Sequence, residues 1–369
     1  MCRTVGYTVG AFAVYIVFIC VIQSGTEALW GPVLSVLLEH HTPTTRMIVQ
    51  ETWHGYNLDA EADICVFACF LARITPLGVA IGKGDAAAVD ALLKAAGADP
   101  NRGFTVGPFG SFASKSPIWE AVSKGDAAAV DALLKAGADP NRGRTVGPFG
   151  SLISDSPIFE AAKNNNTAAV DALLKAGADP NRGFTHLGPF GSLISESPIS
   201  WAAWKGHAAA VDALLDAGAD PNRGGTFGPF GSIASKSPIW DAVSKGDAAA
   251  VDALLRAGAD PNRGVSFGPF GSLSSDSPIW EAVRNYNAAG VYALLKAGAD
   301  PNRGFTRGPF GSLISDSPIL EAVKRGHAAA VDALLKAGAD PNRGGTFGPF
   351  GSIASKSPIW DAVSKGDAA

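Results

Sequence analysis

After Cys69 the chain contains no cysteine, and the four it has (Cys2, Cys20, Cys65 and Cys69) all precede its long regular part. The rest therefore carries neither a disulfide framework nor a thiolate metal site, and is silent about redox compartment. Cys65 and Cys69 stand one helical turn apart with only His54 near them, so two small apolar core residues fit better than a metal site. Histidine is sparse: His40, His41, His54, His186, His207 and His327 follow no period. The recurring acids stand singly, with no converging base. Gly82-Lys83-Gly84 lacks the hydroxyl residue after lysine and the upstream glycine that a phosphate-binding loop needs. A cationic surplus is missing too. Net charge is −4, and the stretch Ala98–Gly137 sets Asp99, Glu120, Asp126 and Asp131 against Arg102, Lys115, Lys124 and Lys135. No broad basic face remains for nucleic acid. These absences exclude an enzyme, a metal site and a cofactor as the expected reading.

One stretch lacks charge altogether, from Thr4 to Thr26, with the apolar run at 5–22. Eighteen such residues suffice for a membrane-spanning helix and are long for a signal-peptide core. A signal anchor, a cleaved signal peptide and a non-membrane segment are the three readings of 1–26, so the location is membrane or secreted, with a cytoplasmic alternative. Arg3 would leave the N-terminus of a spanning helix in the cytoplasm. Residues 27–74 read as a linker followed by an N-terminal capping helix beginning after Asp59, with Ile64, Phe67, Leu71 and Ile74 at helical spacing. The Asn165-Asn166-Thr167 sequon is one chance match in a long chain.

What the chain has in abundance is repetition. Ala-Asp-Pro-Asn-Arg-Gly begins at Ala98, Ala138, Ala178, Ala219, Ala259, Ala299 and Ala339, forty residues apart and once forty-one. A fixed period of this size means stacked units that bury their apolar faces on one another. Within a unit, Ser116 caps a helix whose first residue is Pro117. Ile118, Ala121 and Val122 make its apolar stripe, and Gly125 ends it. Asp126 caps a second helix in which Val130, Leu133 and Leu134 repeat the stripe, with Gly137 as the left-handed stop. The seven Ser-Pro pairs are thus helix starts more than kinase sites.

Thr75-Pro76-Leu77, Gly206-His207, Leu133-Leu134 and Gly137-Ala138-Asp139-Pro140-Asn141 together resemble the ankyrin repeat. The resemblance spans 75–369 as seven full units and an eighth that stops early. It implies an all-α repeat solenoid of helix–turn–helix units with short β-hairpin fingers. The histidine expected after Thr-Pro-Leu is replaced by Trp119, Phe159, Ser200, Trp240, Trp280, Leu320 and Trp360. Each unit also exceeds the usual length of about 33 residues, and the excess lies between Asn141 and Ser156. Gly147-Pro148-Phe149-Gly150 reads as a type I turn at a hairpin tip. Every tip carries a phenylalanine: Phe109, Phe149, Phe190, Phe230, Phe270, Phe310 and Phe350.

The resemblance implies a non-catalytic scaffold that binds proteins through its concave face and fingers. Candidate contacts are Trp119, Glu120, Phe159, Glu160, Trp201, Trp204, Trp240, Asp241, Trp280 and Glu281, with Phe149, Phe190, Phe230, Phe270 and Phe310 at the fingers. The finger phenylalanines read first as a second small core, each packed on the adjacent finger, and after that as a recognition stripe. The arginines from Arg102 to Arg343 are expected to tie down loop carbonyls or pair with a neighbouring aspartate. A monomer is expected. The alternative is a regular spacer, membrane-anchored or secreted. Gly224–Ala249 and Gly344–Ala369 are identical over 26 residues, as recent duplication would leave them, and truncation of a longer protein would explain the half unit at the end. The uncharged run predicts entry into a membrane or the secretory pathway, shown by alkaline extraction and protease protection of a C-terminally tagged chain. A fully soluble cytosolic product that keeps its N-terminus would refute it.

Overall fold

A computed structural model describes residues 62–66, 70–94 and 97–364, apart from the hairpin tips at 107–112, 148–151, 188–192, 229–233, 269–273, 309–313 and 349–353. The uncharged run at 5–22, most of the linker and all seven finger phenylalanines lie outside the described residues. Among the described residues no helix is long and apolar enough to cross a membrane. The chain divides into two compact units, Met1–Ile64 and Cys65–Ala369, and the second holds the repeats.

Each repeat is a helix pair followed by a hairpin. The pair Pro117–Lys124 and Ala127–Lys135 is representative. Ser116 Oγ accepts the Trp119 amide at 3.2 Å, proline occupies the first turn, and Gly125 closes the helix at φ 73°. Asp126 then accepts the Ala129 amide at 3.0 Å, satisfying an otherwise orphaned N–H. The serine cap and first-turn proline recur at Ser156, Ser237, Ser277 and Ser317, while the left-handed glycine recurs at Gly246 and gives way to Asn164, Asn285 and Arg325 in the other three. His207 and His327 start their second helices without a side-chain cap.

The core is a column of small and β-branched side chains. In one repeat it is Ile118, Ala121, Val122, Ala129, Val130 and Leu133; three repeats on it is Ile239, Ala242, Val243, Ala250, Val251 and Leu254, all buried. Alanine on the facing turns lets neighbouring helices approach closely, and the larger Ile and Leu fill the layer between them.

The hairpins join edge to edge. From Phe70–Ile74 to Ala354–Lys356 each strand is the antiparallel neighbour of the next, within repeats and between them. Hydroxyl pairs stitch neighbouring hairpins: Ser114 to Thr145 at 2.9 Å, Ser275 to Thr306 at 3.1 Å and Ser315 to Thr346 at 2.8 Å. The forty-first residue of the long unit is absorbed here, in the four-residue strands Phe184–Leu187 and Leu193–Glu196. Strands also occupy Ala62–Val66 and Phe70–Ile74, where a capping helix was expected. The reason is tertiary: Ala72 and Arg73 pair with Val106 and Thr105, giving the first hairpin's outer strand the partner its backbone needs. Cys65 accordingly sits on a strand and not on a helix turn.

Two contacts fix the step from unit to unit. The capping serine also donates its hydroxyl to the carbonyl of the arginine in the following loop, Ser116 to Arg142 and Ser197 to Arg223 among them. Beside that carbonyl, Gly143 runs so close to the hairpin that a Cβ there would lie 1.7 Å from the Asp155 carbonyl oxygen, and the same holds at Gly224 and Lys236. Only glycine fits. Further out, each loop asparagine accepts the next loop's aspartate amide: Asp139 to Asn101 at 2.7 Å, Asp220 to Asn181 at 2.8 Å and Asp340 to Asn302 at 2.8 Å. The arginines serve this joint through their backbone. The side chains of Arg142, Arg182, Arg223, Arg263, Arg303 and Arg343 are exposed and make no hydrogen bond or ion pair among the described residues. That differs from the side-chain role expected of them.

Leu214 is fully buried in the middle of the stack. Leu214→Ala should cost ~2–5 kcal/mol through lost contacts and a cavity. Faster hydrogen exchange is expected in both flanking repeats as well as its own; exchange confined to the mutated repeat would contradict nearest-neighbour stabilisation.

Candidate functional site

The aromatic and acidic residues on the inner side of the first helices do not form one open stripe. Trp119, Phe159 and Trp280 are buried, Trp240 is half-buried, and Leu320 and Ser200 at the same position are fully buried. The cover comes from the strand that opens the following hairpin, twenty-five residues on. Arg144 lies 4.9 Å over Trp119, Phe184 stacks on Phe159 at 5.7 Å, and Phe305 stacks on Trp280 at 5.1 Å. At the last such pair the large residue gives way to a small one, Gly345 beside Leu320. Aromatic burial of this kind is worth ~3–5 kcal/mol per side chain, so these residues serve the joint between repeats.

The acids next to them are buried too, and each is answered. Glu160 takes Lys163 at 2.7 Å and Asn164 at 3.0 Å. Glu281 takes Arg284 at 2.8 Å and Asn285 at 2.9 Å, and Glu321 takes Arg325 at 2.5 Å. Glu120, half-buried, lies 3.7 Å from Lys115. Burial therefore removes Trp119, Phe159, Trp280, Glu160, Asp241 and Glu281 from direct contact with a partner, contrary to the expectation that they line an open face.

Facing these acids is a second row that sequence reading passed over, the residue just before each Ser-Pro pair. It alternates between lysine (Lys115, Lys236) and acid (Asp155, Glu196, Asp276, Asp316). The signal was present in the repeat itself, as a charged position whose sign changes from unit to unit. Lys236 lies between Glu196 at 3.7 Å and Asp241 at 3.6 Å. Asp241 also accepts the Ser200 hydroxyl at 2.5 Å. Lys324 answers Asp316 at 3.1 Å. Asp155 has the Trp119 indole N–H beside it, without a hydrogen bond of normal geometry.

Burial raises several of these carboxyls. Asp155 is pushed to about 7 by desolvation and by Glu160, against the pull of Arg144 and Lys163. Glu196 reaches about 7, again by desolvation first, opposed by Lys236 and reinforced by Asp241. Asp241 and Asp276 are raised to about 6 by desolvation, Asp276 also by Glu281 and against Arg284. Among the described residues no three His, Cys, Asp or Glu side chains are placed to hold a metal ion.

The raised carboxyls have a definite consequence for stability. Between about pH 4 and pH 7 the folded chain keeps protons at Asp155 and Glu196 that the unfolded chain releases. Stability therefore falls as pH rises through that window. A shift of one unit is worth ~1.4 kcal/mol, so Asp155→Asn together with Glu196→Gln should flatten the dependence measurably. Thermal melts of the full chain at pH 5 and pH 7.5 check this. The native chain should melt lower at pH 7.5, and the double variant should show a smaller difference. An equal difference in both would remove the carboxyls as its cause.

Among the described residues this face is open at the fourth repeat, and again at Trp360 of the last helix, 59% exposed. Trp201 is half-buried and Trp204 is 42% exposed on the helix Pro198–Lys205, their rings 5.3 Å apart and edge to face. Of the residues expected to make contacts, these two are brought together with exposed surface among the described residues.

Family comparison agrees with this architecture. A model of ankyrin repeats in three copies matches residues 118–225, and the single ankyrin repeat model matches residues 316–345. No curated protein sequence matches the chain. Among solved structures, the crystal structure of the human ASB11 ankyrin repeat domain is similar at 23% identity and a TM-score of 0.48, covering 72% of this chain and 99% of that one. With helix pairs, hairpins and matched segments in agreement, the units within residues 118–225 and 316–345 are ankyrin repeats lengthened at the hairpin.

Proposed function

We propose that this chain is a non-catalytic, monomeric scaffold that holds partner proteins on the inner face of its first helices and on its fingers. Ankyrin repeats in general mediate protein–protein interaction, and proteins of the family are typically binding modules without catalysis. The observation that carries the reading to this chain is where its repeats differ. Core positions barely change, yet one accessible position on the first helix runs Ser123, Lys163, Trp204, Ser244, Arg284, Lys324. Lys163, Arg284 and Lys324 there answer acids of the fold, but packing has no use for the exposed Trp204 where Ser123 and Ser244 stand. Balanced charge supports a protein partner over nucleic acid. The spacer reading draws on a different fact, the identity of Gly224–Ala249 and Gly344–Ala369.

Proximity labelling around the tagged full chain should give a reproducible set of neighbouring proteins. Phe190, Phe230 and Phe270 replaced together by Ser should cut capture more than the accompanying fall in melting temperature accounts for, as when a few aromatic anchors dominate an interface. A labelled set no different from that of a free tag would leave the spacer reading in its place.

A further inference from the structure

The fourth repeat departs from its neighbours at three positions of one helix face, and the three changes form a single repacking. Ser200 stands where Trp119, Phe159, Trp240 and Trp280 stand elsewhere, Trp201 where Glu120, Glu160, Asp241 and Glu281 stand, and Trp204 where Ser123, Lys163, Ser244 and Arg284 stand. Ser200 is fully buried and gives its hydroxyl to Asp241 of the next repeat. Trp201 turns against Phe159 of the previous repeat at 5.6 Å, and Phe159 in turn stacks on Phe184. Trp204 meets the Trp201 ring edge-on and keeps 42% of its surface in solvent. At the end of the long strand Phe184–Leu187, Leu187 is 38% exposed.

The charge around this aromatic pair is out of balance in one direction. In the seventh repeat the buried Glu321 answers Arg325, which stands at the position of Lys205. The fourth repeat has Trp201 in place of that glutamate. Lys205 is left with its ammonium 4.3 Å from the Trp204 ring centre and 5.7 Å from that of Trp201, and with no ion pair among the described residues. Lys245, at the end of the next first helix, is exposed and likewise without an ion pair there. Lys236 lies 5.5 Å from the Trp204 ring but is already held by Glu196 and Asp241. The nearby Asp247 caps the following helix through Oδ1 and keeps Oδ2 on the Lys245 side of Gly206. The patch therefore offers an exposed indole bordered by Lys205, a cation with no ion pair among the described residues.

We propose that Trp201, Trp204 and Lys205 form the seat for an acidic segment of a partner protein, one large apolar side chain lying on Trp204 and a neighbouring carboxylate reaching Lys205. The inference rests on the protein-binding reading above and narrows it to one repeat and one partner chemistry. Indole and cation together are the side-chain types that dominate interfaces. A carboxylate arriving at Lys205 forms a charge-assisted hydrogen bond while the apolar neighbour covers Trp204 and excludes water from it.

The test uses the full chain, immobilised through a C-terminal tag, and a displayed library of random twelve-residue peptides. Enriched peptides should carry Asp or Glu within a few positions of a large apolar residue. A synthetic peptide of the most enriched sequence should bind Trp204→Ser about tenfold more weakly or worse. Against Lys205→Glu, selection should turn toward basic peptides. Both substitutions lie at exposed positions and should leave the melting temperature unchanged; a variant that melts early is replaced by Trp204→Phe, which should bind with intermediate strength. Enriched peptides without acidic bias, equal binding to Trp204→Ser, or no enrichment at all would overturn the assignment. Proteins labelled around the native chain and equally around Trp204→Ser would overturn it while leaving the broader scaffold reading intact. Self-association of the native chain that Trp204→Ser abolishes would make the occupant a second copy, and the acidic partner would be discarded.

Discussion

One hydroxyl group per repeat does two tasks that are usually separate. The serine before each helix accepts its own helix's amide and donates to a carbonyl in the following loop. Because a single oxygen serves both, the start of one helix and the course of the next loop are set together, and the angle between successive units has little freedom. The glycine beside that carbonyl could carry no side chain without striking the hairpin. The hairpin's place next to the helices follows, and with it the continuous antiparallel edge along the stack. Alanine-rich helices would pack in several ways if left to apolar contact alone; this joint selects one.

Much of that was legible from the residues. Ser116, Pro117 and Gly125 marked a helix that the structure places at Pro117–Lys124, and Asp126 marked the next at Ala127–Lys135. Such signals are local, so sequence exposes them. The strand Phe70–Ile74 was not legible, because what makes it a strand is Thr105 and Val106, more than thirty residues away. Its apolar spacing suits a helix equally well. The burial of Trp119 and Phe159 was missed for a similar reason: Arg144 and Phe184, which cover them, belong to the following hairpin. In a repeat protein such partners lie at a constant offset, and covariation of size at that offset within the one chain, as at Leu320 and Gly345, is a usable signal. What set the open patch apart was also in plain view, as the one first helix with tryptophan in place of its acid.

The polar seam beneath the first helices costs stability and keeps its place. Carboxylates there are desolvated, some face like charge, and several hold protons near neutrality. An apolar residue at Asp155 or Glu196 would often be as stable or more so. What the seam supplies is discrimination: a lysine before one Ser-Pro pair suits the acids around it, as Lys236 suits Glu196 and Asp241. Neighbouring repeats with nearly the same apolar core are thereby told apart by charge.

The long unit shows where the chain tolerates change. Its additional residue enlarges a hairpin and leaves both helices, the capping serine and the loop asparagine in step with every other unit. The serine, glycine and asparagine contacts are thus the same at every joint, and the charged and aromatic seam is what differs. A unit lost or gained by unequal recombination at the level of the gene would hand on those shared contacts at both cut ends. Under such exchange the tryptophan-bearing unit would keep its aromatic patch only beside neighbours that supply a ring at Phe159 and a carboxylate at Asp241.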